Sequence, residues 1–408
     1  MKLCVVGAGR VGLPFALFMA SRGIETILLE RNEARLESIQ NRESPFEEPG
    51  VAQALKATTL VTTDNPEVVS EADVVALSVG TPLGDHLEPD LSQLMGAILQ
   101  IAPYTTDNHL IMLRSTVPPG TTEALPSLAA AQGQFLRGEL AFCPERVAEG
   151  HVLRELAEFP QIVGAETRSA HHKARDMFDR AGLTVLETTI ATAEFTKLYN
   201  NTARYIEFAI ANEMFMKAES MGISYNEVRR LATFNYSRGF AGTAGFTAGA
   251  CLRKDFALLE EGLGPGSYLP HAAWRVNESV PTWLVSELRR RTNLTGARVL
   301  LLGTTFKPNS DDKRDSLAIK LSRLLARAGA IVREFDPADE PPTCDPLARV
   351  REAISKERPH CVVVGAPHDV WRDQYAQLSR LLPADCWIAD IWSLWGYDRV
   401  FWQVGDMP

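Results

Sequence analysis

Short apolar runs alternate with stretches of helical spacing in the first part of the chain. Residues 2–7 (Lys-Leu-Cys-Val-Val-Gly) predict a buried parallel strand, because both faces of such a strand pack against helices. A glycine-rich turn, an apolar helix near 11–22 and a second strand at Glu25–Leu29 complete a βαβ unit. Further short apolar strands are predicted at 74–78, 109–113, 138–142 and 161–163. This repetition is typical of a doubly wound parallel sheet.

A long helix is predicted in the middle of the chain. From about Thr192 to Ser220 there are few helix breakers, apolar residues recur at three- and four-residue spacing, and Gly222 gives a stop signal. More helix is expected to about Leu231, followed by a glycine-rich loop and by helix through Trp283 and beyond. This part of the chain therefore has the pattern of an all-helical domain.

A second α/β unit is predicted in the last part of the chain. Its expected elements are strands at 297–303, 330–335, 361–364 and 387–390, a helix at 316–328 and a surface loop at 337–346. The whole pattern predicts an α/β protein with two Rossmann-like domains, each built on a doubly wound parallel sheet, joined by a central helical domain. The expected domain boundaries are 1–190, 191–285 and 286–408.

The composition of the 408 residues is ordinary for a soluble globular protein. The net charge of −9 argues against nucleic acid or an anionic membrane as partner, and no apolar run reaches the ~18 residues expected of a spanning helix. The six cysteines are dispersed and the first strand begins at Lys2, so we expect a cytoplasmic protein without a signal peptide. The eight histidines do not cluster, and no metal site is predicted.

A dinucleotide-binding motif follows the first predicted strand. In Gly7–Gly12 (Gly-Ala-Gly-Arg-Val-Gly) the first glycine permits a tight turn, the second lets the backbone approach a pyrophosphate, and the third lets helix and strand pack closely. Glu30 ends the next strand, where a carboxylate accepts hydrogen bonds from ribose hydroxyls and repels a 2′-phosphate. The motif therefore predicts NAD in preference to NADP, although Arg31 and Arg35 are close enough in sequence to soften that preference.

Two polar pairs have the four-residue spacing that places side chains on one face of a helix. Lys197 and Asn201 lie in the predicted long helix, and Cys251 and Asp255 would share a face if a helix begins at Cys251. The dipole of such a helix stabilises a thiolate at its N-terminus, and Lys254 adds positive charge. A thiol beside a hydride acceptor can trap an aldehyde as a thiohemiacetal, which loses a second hydride to give a thioester that water opens to an acid.

Nine short motifs follow one another along the chain in the order typical of one enzyme family. Besides Gly7–Gly12 and Glu30 they are Val79–Pro82, Ser115–Thr121, Cys143–Val147, Ala193–Asn201, Ala211–Glu213, Cys251–Asp255 and Phe306–Ser316. With these motifs nearly the whole chain resembles the UDP-glucose/GDP-mannose dehydrogenase family of nucleotide-sugar 6-dehydrogenases. The resemblance implies an NAD-dependent enzyme that oxidises C6 of a UDP-hexose, either UDP-glucose or a UDP-N-acetylhexosamine, to the UDP-uronate and reduces two NAD per sugar.

The resemblance also implies catalytic roles. Cys251 is similar in position to the family's nucleophile. Lys197 and Asp255, with a water and Thr116, correspond to the groups that handle the proton in the first oxidation. Lys197 and Asn201 correspond to the residues that stabilise the developing oxyanion.

Glu145 is similar in position to the residue that assists hydrolysis of the thioester, and it also lies in the implied substrate site. In the family the residue at Arg238 reaches the sugar of the neighbouring subunit, which implies a homodimer or a larger homo-oligomer. The implied cofactor-binding residues are Gly7, Gly9, Arg10, Val11, Gly12, Glu30, Arg31, Arg35, Thr81, Thr116, Lys254 and Arg314. The implied substrate-binding residues are Glu145, Arg146, Val147, Glu149, Lys197, Asn201, Arg238, Phe246, Gly249 and Lys307.

The chain departs from the family pattern in two places. Residues 248–250, before the cysteine, read Ala-Gly-Ala where the family has Gly-Gly-Ser or Gly-Gly-His, and Asn309 replaces an aspartate. Cys143–Val147 is more similar to the N-acetylhexosamine branch and Lys254–Asp255 to the UDP-glucose branch, so the sugar stays open. Two other functions compete with this reading: a hydroxyacid-type dehydrogenase that transfers a single hydride, and a catalytically silent regulatory module that binds NAD or a nucleotide sugar.

Overall fold

A computed structural model describes residues 1–84, 88–247, 249–263, 268–341 and 344–406, with only the backbone described at 250, 251 and 260–263. The chain folds into two compact units. One comprises Met1–Asn201 and Lys254–Gly266, and the other comprises Thr202–Arg253 and Ser267–Pro408. The division into three domains expected from the sequence, at 1–190, 191–285 and 286–408, remains a prediction.

An eight-stranded sheet forms the centre of the first unit. Its strands are β1 (Lys2–Val6), β2 (Glu25–Leu29), β3 (Val61–Thr63), β4 (Val74–Leu77), β5 (Leu110–Leu113), β6 (Glu139–Phe142), β7 (Gln161–Ala165) and β8 (Val185–Thr188). They are arranged in the order β3-β2-β1-β4-β5-β6-β7-β8, and all neighbouring pairs are parallel except β6 and β7. The predicted α/β architecture is confirmed for this unit.

Within the described residues of this unit, seven α-helices connect the strands. They are α1 (Gly12–Ser21), α2 (Glu33–Gln40), α3 (Val51–Ala57), α4 (Ser92–Ile101), α5 (Thr121–Ala131), α6 (Val152–Glu158) and α7 (Arg168–Arg180). The first of them, α1, is apolar all round, and its residues from Gly12 to Met19 are buried, because it packs against β2 and against α3 and α6. This packing fixes the helix that follows the dinucleotide motif.

The predicted long helix is present and begins two residues earlier than expected. Its residues up to Asn201 belong to the first unit and the others to the second. Gly222 follows it with a φ of +69°, a conformation that favours glycine and agrees with its predicted role as a stop signal. The long helix is α8 (Ile190–Ser220). It is followed, before the next strand, by α9 (Tyr225–Thr233), α10 (Ala250–Leu263) and α11 (Tyr268–Arg291). In the described part of the chain, none of the helices combines the length and the apolar character needed to cross a membrane.

A five-stranded sheet forms the centre of the second unit. Its elements are β9 (Arg298–Leu302), α12 (Leu317–Arg327), β10 (Ile331–Phe335), α13 (Pro346–Glu357), β11 (Cys361–Val364), α14 (Tyr375–Leu378), β12 (Trp387–Ala389) and β13 (Phe401–Gln403). The strand order is β10-β9-β11-β12-β13, and only β12 and β13 are antiparallel. The second predicted α/β unit is thereby confirmed.

Three strands were not expected from the sequence, and all three lie at the edge of a sheet: β3, β8 and β13. An edge strand pairs on one side only, so it is commonly short and need not be uniformly apolar. Accordingly, β3 has no fully buried residue, β8 has one, and β13 contains only three residues. Apolar runs therefore located the central strands but not these edges.

The first turn after a strand has the same hydrogen bonding in both units. Gly7 and Gly303 have φ values of +99° and +90°, and each backbone N–H donates to the last residue of the next strand. The carboxylates of Glu30 and Asp336 each accept a hydrogen bond from the backbone N–H that follows the glycine. Both units therefore begin with the same Rossmann-like βαβ arrangement.

The cysteine side chains that the structure describes are free thiols. Cys4, Cys143, Cys361 and Cys386 are buried, and Cys344 is exposed. Burial raises the pKa of the Cys143 thiol to about 12, so this thiol is protonated and unreactive at neutral pH. Within the described ranges, no three His, Cys, Asp or Glu side chains are grouped so as to hold a metal ion.

Candidate active site

The dinucleotide turn uses its three glycines in different ways. A Cβ on Gly7 would lie 2.6 Å from the Ser78 carbonyl oxygen, and a Cβ on Gly12 would lie 2.0 Å from the Gly7 carbonyl oxygen. Larger residues at these two positions would displace the backbone. Gly9, in contrast, faces open space, with no atom within 4 Å of its Cβ position. The turn therefore leaves its backbone accessible to a ligand where the motif places a pyrophosphate.

Glu30 is held at the end of β2 as a buried carboxylate, 4% exposed. Its Oε2 accepts hydrogen bonds from the Ala8 backbone N–H at 2.8 Å and from Arg35 Nη1 at 3.1 Å, and its Oε1 accepts one from the Asn32 N–H at 2.8 Å. Beside it lies a cavity of about 250 Å³, whose lining includes Gly7, Gly9, Glu30, Arg31, Arg35 and Gly80. The residues present thus fit the adenosine and pyrophosphate of a dinucleotide.

Arg10 links the dinucleotide turn to a segment predicted to bind substrate. Its Nη1 lies 2.9 Å from Glu149 Oε1, and its guanidinium lies 5.2 Å from the centre of the Phe46 ring. Val11, the next residue, occupies the position directly before α1. The structure therefore brings one predicted cofactor residue into contact with one predicted substrate residue.

Five predicted site residues form a continuous chain of polar contacts. Asn201 Nδ2 donates a hydrogen bond of 2.5 Å to Asp255 Oδ2, and Lys254 Nζ lies 3.0 Å from Asp255 Oδ1. Lys254 Nζ also donates to Thr81 Oγ1 at 3.2 Å, and Thr81 Oγ1 donates to the Thr116 carbonyl oxygen at 2.6 Å. Helices α8 and α10 and the loops after β4 and β5 each contribute to this chain.

Asp255 is almost fully buried, at 1% exposure. The contact of its Oδ1 with Lys254 is an ion pair without hydrogen-bond geometry, so among the described residues this oxygen accepts no hydrogen bond. Lys197 lies one helical turn before Asn201 on α8, as its spacing predicts, and is half-buried. No hydrogen bond or ion pair to its ammonium occurs within the described part of the chain. The Lys197 charge is therefore available to a ligand.

Glu145 is held in place from three directions. Its Oε1 accepts hydrogen bonds from the backbone N–H groups of Arg146 at 2.8 Å and Val147 at 3.1 Å, and its Oε2 accepts one from the Arg114 guanidinium. The Arg146 side chain donates to the Pro160 carbonyl oxygen, and burial lowers its pKa while the charge of Glu145 opposes that shift. Residues 145–147 therefore form a tightly hydrogen-bonded turn after β6.

The loop before Cys251 is packed beneath two aromatic rings. A Cβ on Gly249 (φ +104°) would lie 2.6 Å from the Phe306 ring, and a Cβ on Gly245 would lie 2.2 Å from the Trp392 ring. Phe246 is buried and contacts Trp392 edge-on, with ring centres 5.9 Å apart. Cys251 lies in the first turn of α10, so the condition under which it would share a face with Asp255 is met to within one residue. Residue 248 and the side chains of residues 250 and 251 lie outside the described part of the chain.

Two fully buried asparagines hold the same loop. Asn212 Oδ1 accepts the Gly245 N–H at 2.9 Å, and Asn212 Nδ2 donates to Asn277 Oδ1 at 2.9 Å and to Thr247 Oγ1 at 3.3 Å. Asn277 Nδ2 in turn donates to the Tyr205 carbonyl oxygen at 3.1 Å. This network ties the loop to α8 and α11. Neither asparagine was predicted as a site residue.

The remaining predicted residues of the second unit are more exposed. Arg238 is exposed in the loop after α9, with its guanidinium 5.3 Å from the centre of the Tyr236 ring. Lys307 is half-buried, and its carbonyl oxygen accepts a hydrogen bond from Thr305. Arg314 is exposed and forms an ion pair with Asp312.

The asparagine that replaces a family aspartate has a structural reason. Asn309 has a φ of +55°, a conformation that asparagine tolerates better than most residues. Its amide donates to Asp369 Oδ2 at 2.7 Å, and its Oδ1 accepts the Asp369 backbone N–H at 3.1 Å. An aspartate at this position would set two carboxylates against each other.

Two buried charged residues at the site were missed from the sequence. Arg114 follows β5 directly and reaches Glu145. Glu194 is fully buried at the start of α8 and accepts hydrogen bonds from the Gly120 N–H at 2.6 Å and from the Thr122 N–H at 2.9 Å. Burial raises the pKa of Glu194. For Arg114 the available signal was a charged residue directly after an apolar run, whereas Glu194 lies among the polar residues Thr192, Thr196 and Lys197 and had no such signal.

Comparison with known proteins identifies the family. The models of the UDP-glucose/GDP-mannose dehydrogenase family match its NAD binding domain at residues 1–181, its central domain at 191–277 and its UDP binding domain at 300–397. UDP-N-acetyl-D-mannosamine dehydrogenase from Methanocaldococcus jannaschii is 30% identical over 380 residues, which cover 91% of this chain and 87% of that protein. The chain belongs to the UDP-glucose/GDP-mannose dehydrogenase family. It is therefore an NAD-dependent nucleotide-sugar dehydrogenase with an NAD binding domain and a UDP binding domain.

Solved structures of other family members share this fold. The UDP-D-ManNAc dehydrogenase from Pyrococcus horikoshii superimposes with a TM-score of 0.87 and 26% identity, over 97% of this chain and 96% of that one. A UDP-glucose dehydrogenase from Pyrobaculum islandicum superimposes with a TM-score of 0.82 and 25% identity, over 95% and 93% of the two chains. This member of the UDP-glucose/GDP-mannose dehydrogenase family thus resembles enzymes named for two different sugars.

Proposed function

We propose that this dehydrogenase oxidises C6 of a UDP-N-acetylhexosamine to the UDP-uronate in two hydride transfers, with Cys251 as the covalent nucleophile. The observation that carries the proposal is the chain of polar contacts from Asn201 through Asp255 and Lys254 to Thr81. It joins residues from distant parts of the sequence that the resemblance assigns to one reaction.

The sugar is proposed from two lines of support. The relative from Methanocaldococcus jannaschii and the structure from Pyrococcus horikoshii are both named for UDP-N-acetylmannosamine. The segment Cys143–Val147 is also more similar to the N-acetylhexosamine branch. UDP-glucose is the second candidate, because the Lys254–Asp255 pair is more similar to the UDP-glucose branch and the structure from Pyrobaculum islandicum is named for that sugar.

The first oxidation removes a proton from O6 and a hydride from C6. The Gly7–Gly12 turn and Glu30 would hold NAD, which would supply the hydride acceptor. The ammonium of Lys197 stabilises the developing alkoxide, and the second N–H of the Asn201 amide, whose first N–H is used on Asp255, donates to the same oxygen. Asp255 takes the proton through a water held by Thr116. The unfilled acceptor capacity of Asp255 supports this role.

The second oxidation proceeds on the enzyme. The Cys251 thiolate adds to the aldehyde carbon, and a second NAD, when bound, would take up the hydride that the thiohemiacetal loses from C6. The resulting thioester is hydrolysed with the assistance of Glu145. The start of α10 at Ala250 supports this role, because a thiolate in the first turn of a helix is stabilised by the helix dipole. Retention of the aldehyde as an adduct also prevents its loss between the two oxidations.

We further propose a homodimer, in which Arg238 reaches the substrate of the neighbouring subunit. The exposure of Arg238 after α9 supports this contact. Large exposed apolar side chains on and beside α8 and α9 give further support, because such surfaces commonly mark protein interfaces; they include Ile210, Met214, Leu231 and Phe234. The free thiols are compatible with the cytoplasmic location proposed from the dispersed cysteines. Light scattering during gel filtration tests the dimer, and a monomer at micromolar concentration would contradict it.

A panel of nucleotide sugars tests the reaction. The enzyme is mixed with NAD and UDP-N-acetylmannosamine, UDP-N-acetylglucosamine, UDP-N-acetylgalactosamine or UDP-glucose, and the NADH formed per sugar consumed is counted. Two NADH per sugar are expected, with a uronate as the product and no acid formed by Cys251→Ser. One NADH per turnover that survives in Cys251→Ser would indicate a single-hydride dehydrogenase, and binding without turnover would indicate a regulatory module.

A further inference from the structure

A fully buried arginine lies behind the predicted hydrolysis residue. Arg114 follows β5, is 2% exposed, and directs its Nη2 to Oε2 of Glu145. Its guanidinium lies 4.0 Å from the centre of the buried Phe15 ring, which holds the side chain in one orientation. Gln161 Oε1 is 3.5 Å from both terminal nitrogens, at the limit of a hydrogen bond. Glu145 is thus the closest polar partner of Arg114.

The hydrogen bonds of Glu145 leave room for one more donor on one oxygen. A carboxylate has about four acceptor positions, two on each oxygen. Both positions on Oε1 are used by the backbone N–H groups of Arg146 and Val147. On Oε2 one position is used by Arg114, and the described residues leave the other available to a water molecule. The backbone N–H groups therefore select Oε2 as the oxygen that can receive a proton, and Arg114 determines on which side of Oε2 the proton is received.

A purely structural ion pair would be expected to satisfy both partners. The Nε of Arg114, however, has no hydrogen-bond partner among the described residues. Burial of an incompletely paired guanidinium is costly, and an apolar residue of similar size commonly serves the core equally well. The side chain is thus better explained by its action on Glu145 than by its contribution to stability.

We propose that Arg114 is a positioning residue for thioester hydrolysis, acting through Glu145. The inference rests on the proposed function. In this step the water oxygen forms a bond to the acyl carbon while one water proton passes to Oε2 of Glu145. The bond from the acyl carbon to sulfur then breaks, the thiolate of Cys251 leaves and takes up the proton held by Glu145, and the uronic acid releases its own proton to solvent. No electron is transferred, so Arg114 should affect neither hydride transfer.

The test compares Arg114→Met and Arg114→Lys with the wild type in rapid-mixing experiments. With NAD and the substrate found in the panel, the variants are expected to form NADH in a burst of two per active site. Turnover should then slow by about 100-fold in Arg114→Met, because a catalytic group displaced by even about 1 Å loses that much rate. Arg114→Lys keeps the positive charge but replaces the planar guanidinium by an ammonium, so its turnover should lie between those of Arg114→Met and the wild type.

Intact-protein mass spectrometry of acid-quenched samples gives a second readout. Both Arg114 variants are expected to accumulate protein carrying the nucleotide uronyl group, and the wild type is not. Arg298→Met serves as the control, because it removes a guanidinium that donates to the backbone carbonyls of Glu357 and Arg358 in the second unit. This control is expected to lower the temperature of unfolding without accumulating the adduct.

Several outcomes would overturn the inference. A burst that falls in proportion to turnover, or turnover equal to that of the wild type, would show that Arg114 does not act on hydrolysis. If Arg114→Met fails to fold, Arg114→Lys decides alone, and an unchanged hydrolysis rate in it rejects the proposal. A wild type that forms only one NADH per sugar would reject the proposed function itself and the inference with it.

Discussion

The side-chain amide of Asn201 donates a 2.5 Å hydrogen bond to Oδ2 of Asp255. This contact joins α8 to α10. It fixes the orientation of the Asn201 amide and therefore the direction in which its second N–H points. Because Asp255 is buried and its other oxygen accepts no hydrogen bond within the described residues, the two side chains form a pre-arranged polar unit. The orientation of Asn201 and the charge of Asp255 are therefore coupled.

Replacement of Asn201 should impair the first oxidation. Asn201→Ala removes a donor to the developing oxyanion and leaves Asp255 without its hydrogen bond, so we expect the rate of the first hydride transfer to fall by about 100-fold or more. Single-turnover formation of NADH measures that rate. Asn200→Ala is the matched control, since Asn200 is exposed on the same helix. Equal rates in the two variants would remove Asn201 from the mechanism.

Local features of the site were predictable because a few neighbouring residues determine them. The turn at Gly7 and Gly12 follows from the close approach of the backbone, which a Cβ would block. Lys197 and Asn201 share a face because the helical period places them there. Cys251 and Asp255 were expected to share a face on the condition that a helix begins at Cys251, and α10 begins one residue earlier, at Ala250.

Contacts that join distant parts of the chain were not predictable in this way. Lys254 and Thr81 are 173 residues apart, and Arg114 and Glu145 are 31 apart. The first contact depends on how α10 packs against the loop after β4, and the second depends on the register of β5 and β6 in the sheet. The pattern of a single helix or strand specifies neither. A buried arginine after an apolar strand signals an acidic partner, but the sequence does not say which one.

Replacement of Glu30 should relax the choice of cofactor. Glu30→Ala removes the charge that repels a 2′-phosphate and frees Arg35 from its 3.1 Å ion pair, so the ratio of the NADP and NAD dissociation constants should shift toward NADP by about tenfold or more. Fluorescence titration with both cofactors measures the ratio. Glu33→Ala, in the exposed first turn of α2, is the control. Unchanged NAD affinity in Glu30→Ala would mean that the ribose is bound elsewhere.

Replacement of Gly249 should disturb the loop before Cys251. Gly249→Ala places a Cβ 2.6 Å from the Phe306 ring at a φ of +104°, which adds about 1–3 kcal/mol of overpacking to about 1–2 kcal/mol of backbone strain. Both the free energy of unfolding and kcat should decrease. Gly296→Ala, with a φ of +73° and open space around it, incurs only the strain and should keep kcat. Should both variants lose kcat equally, the contact with Phe306 would not matter for catalysis.

The stability of the first unit should depend on pH through Glu139. Hydrogen bonds from Thr167, Lys173 and Ser169 outweigh the opposing effect of burial and lower the pKa of Glu139 from 4.5 to about 2. Because the folded state binds this proton more weakly than the unfolded state, the stabilisation is complete above about pH 5 and is lost as the pH falls from about 4.5 to about 2. Allowing for partial exposure, it amounts to about 1–2 kcal/mol. Urea unfolding measures the free energy of unfolding at pH 7 and at pH 3. The difference between the two values should be smaller for Glu139→Gln than for the wild type. For Glu158→Gln, at an exposed position on α6, the difference should equal that of the wild type. A wild-type pH dependence that persists in Glu139→Gln would assign the effect to other carboxylates.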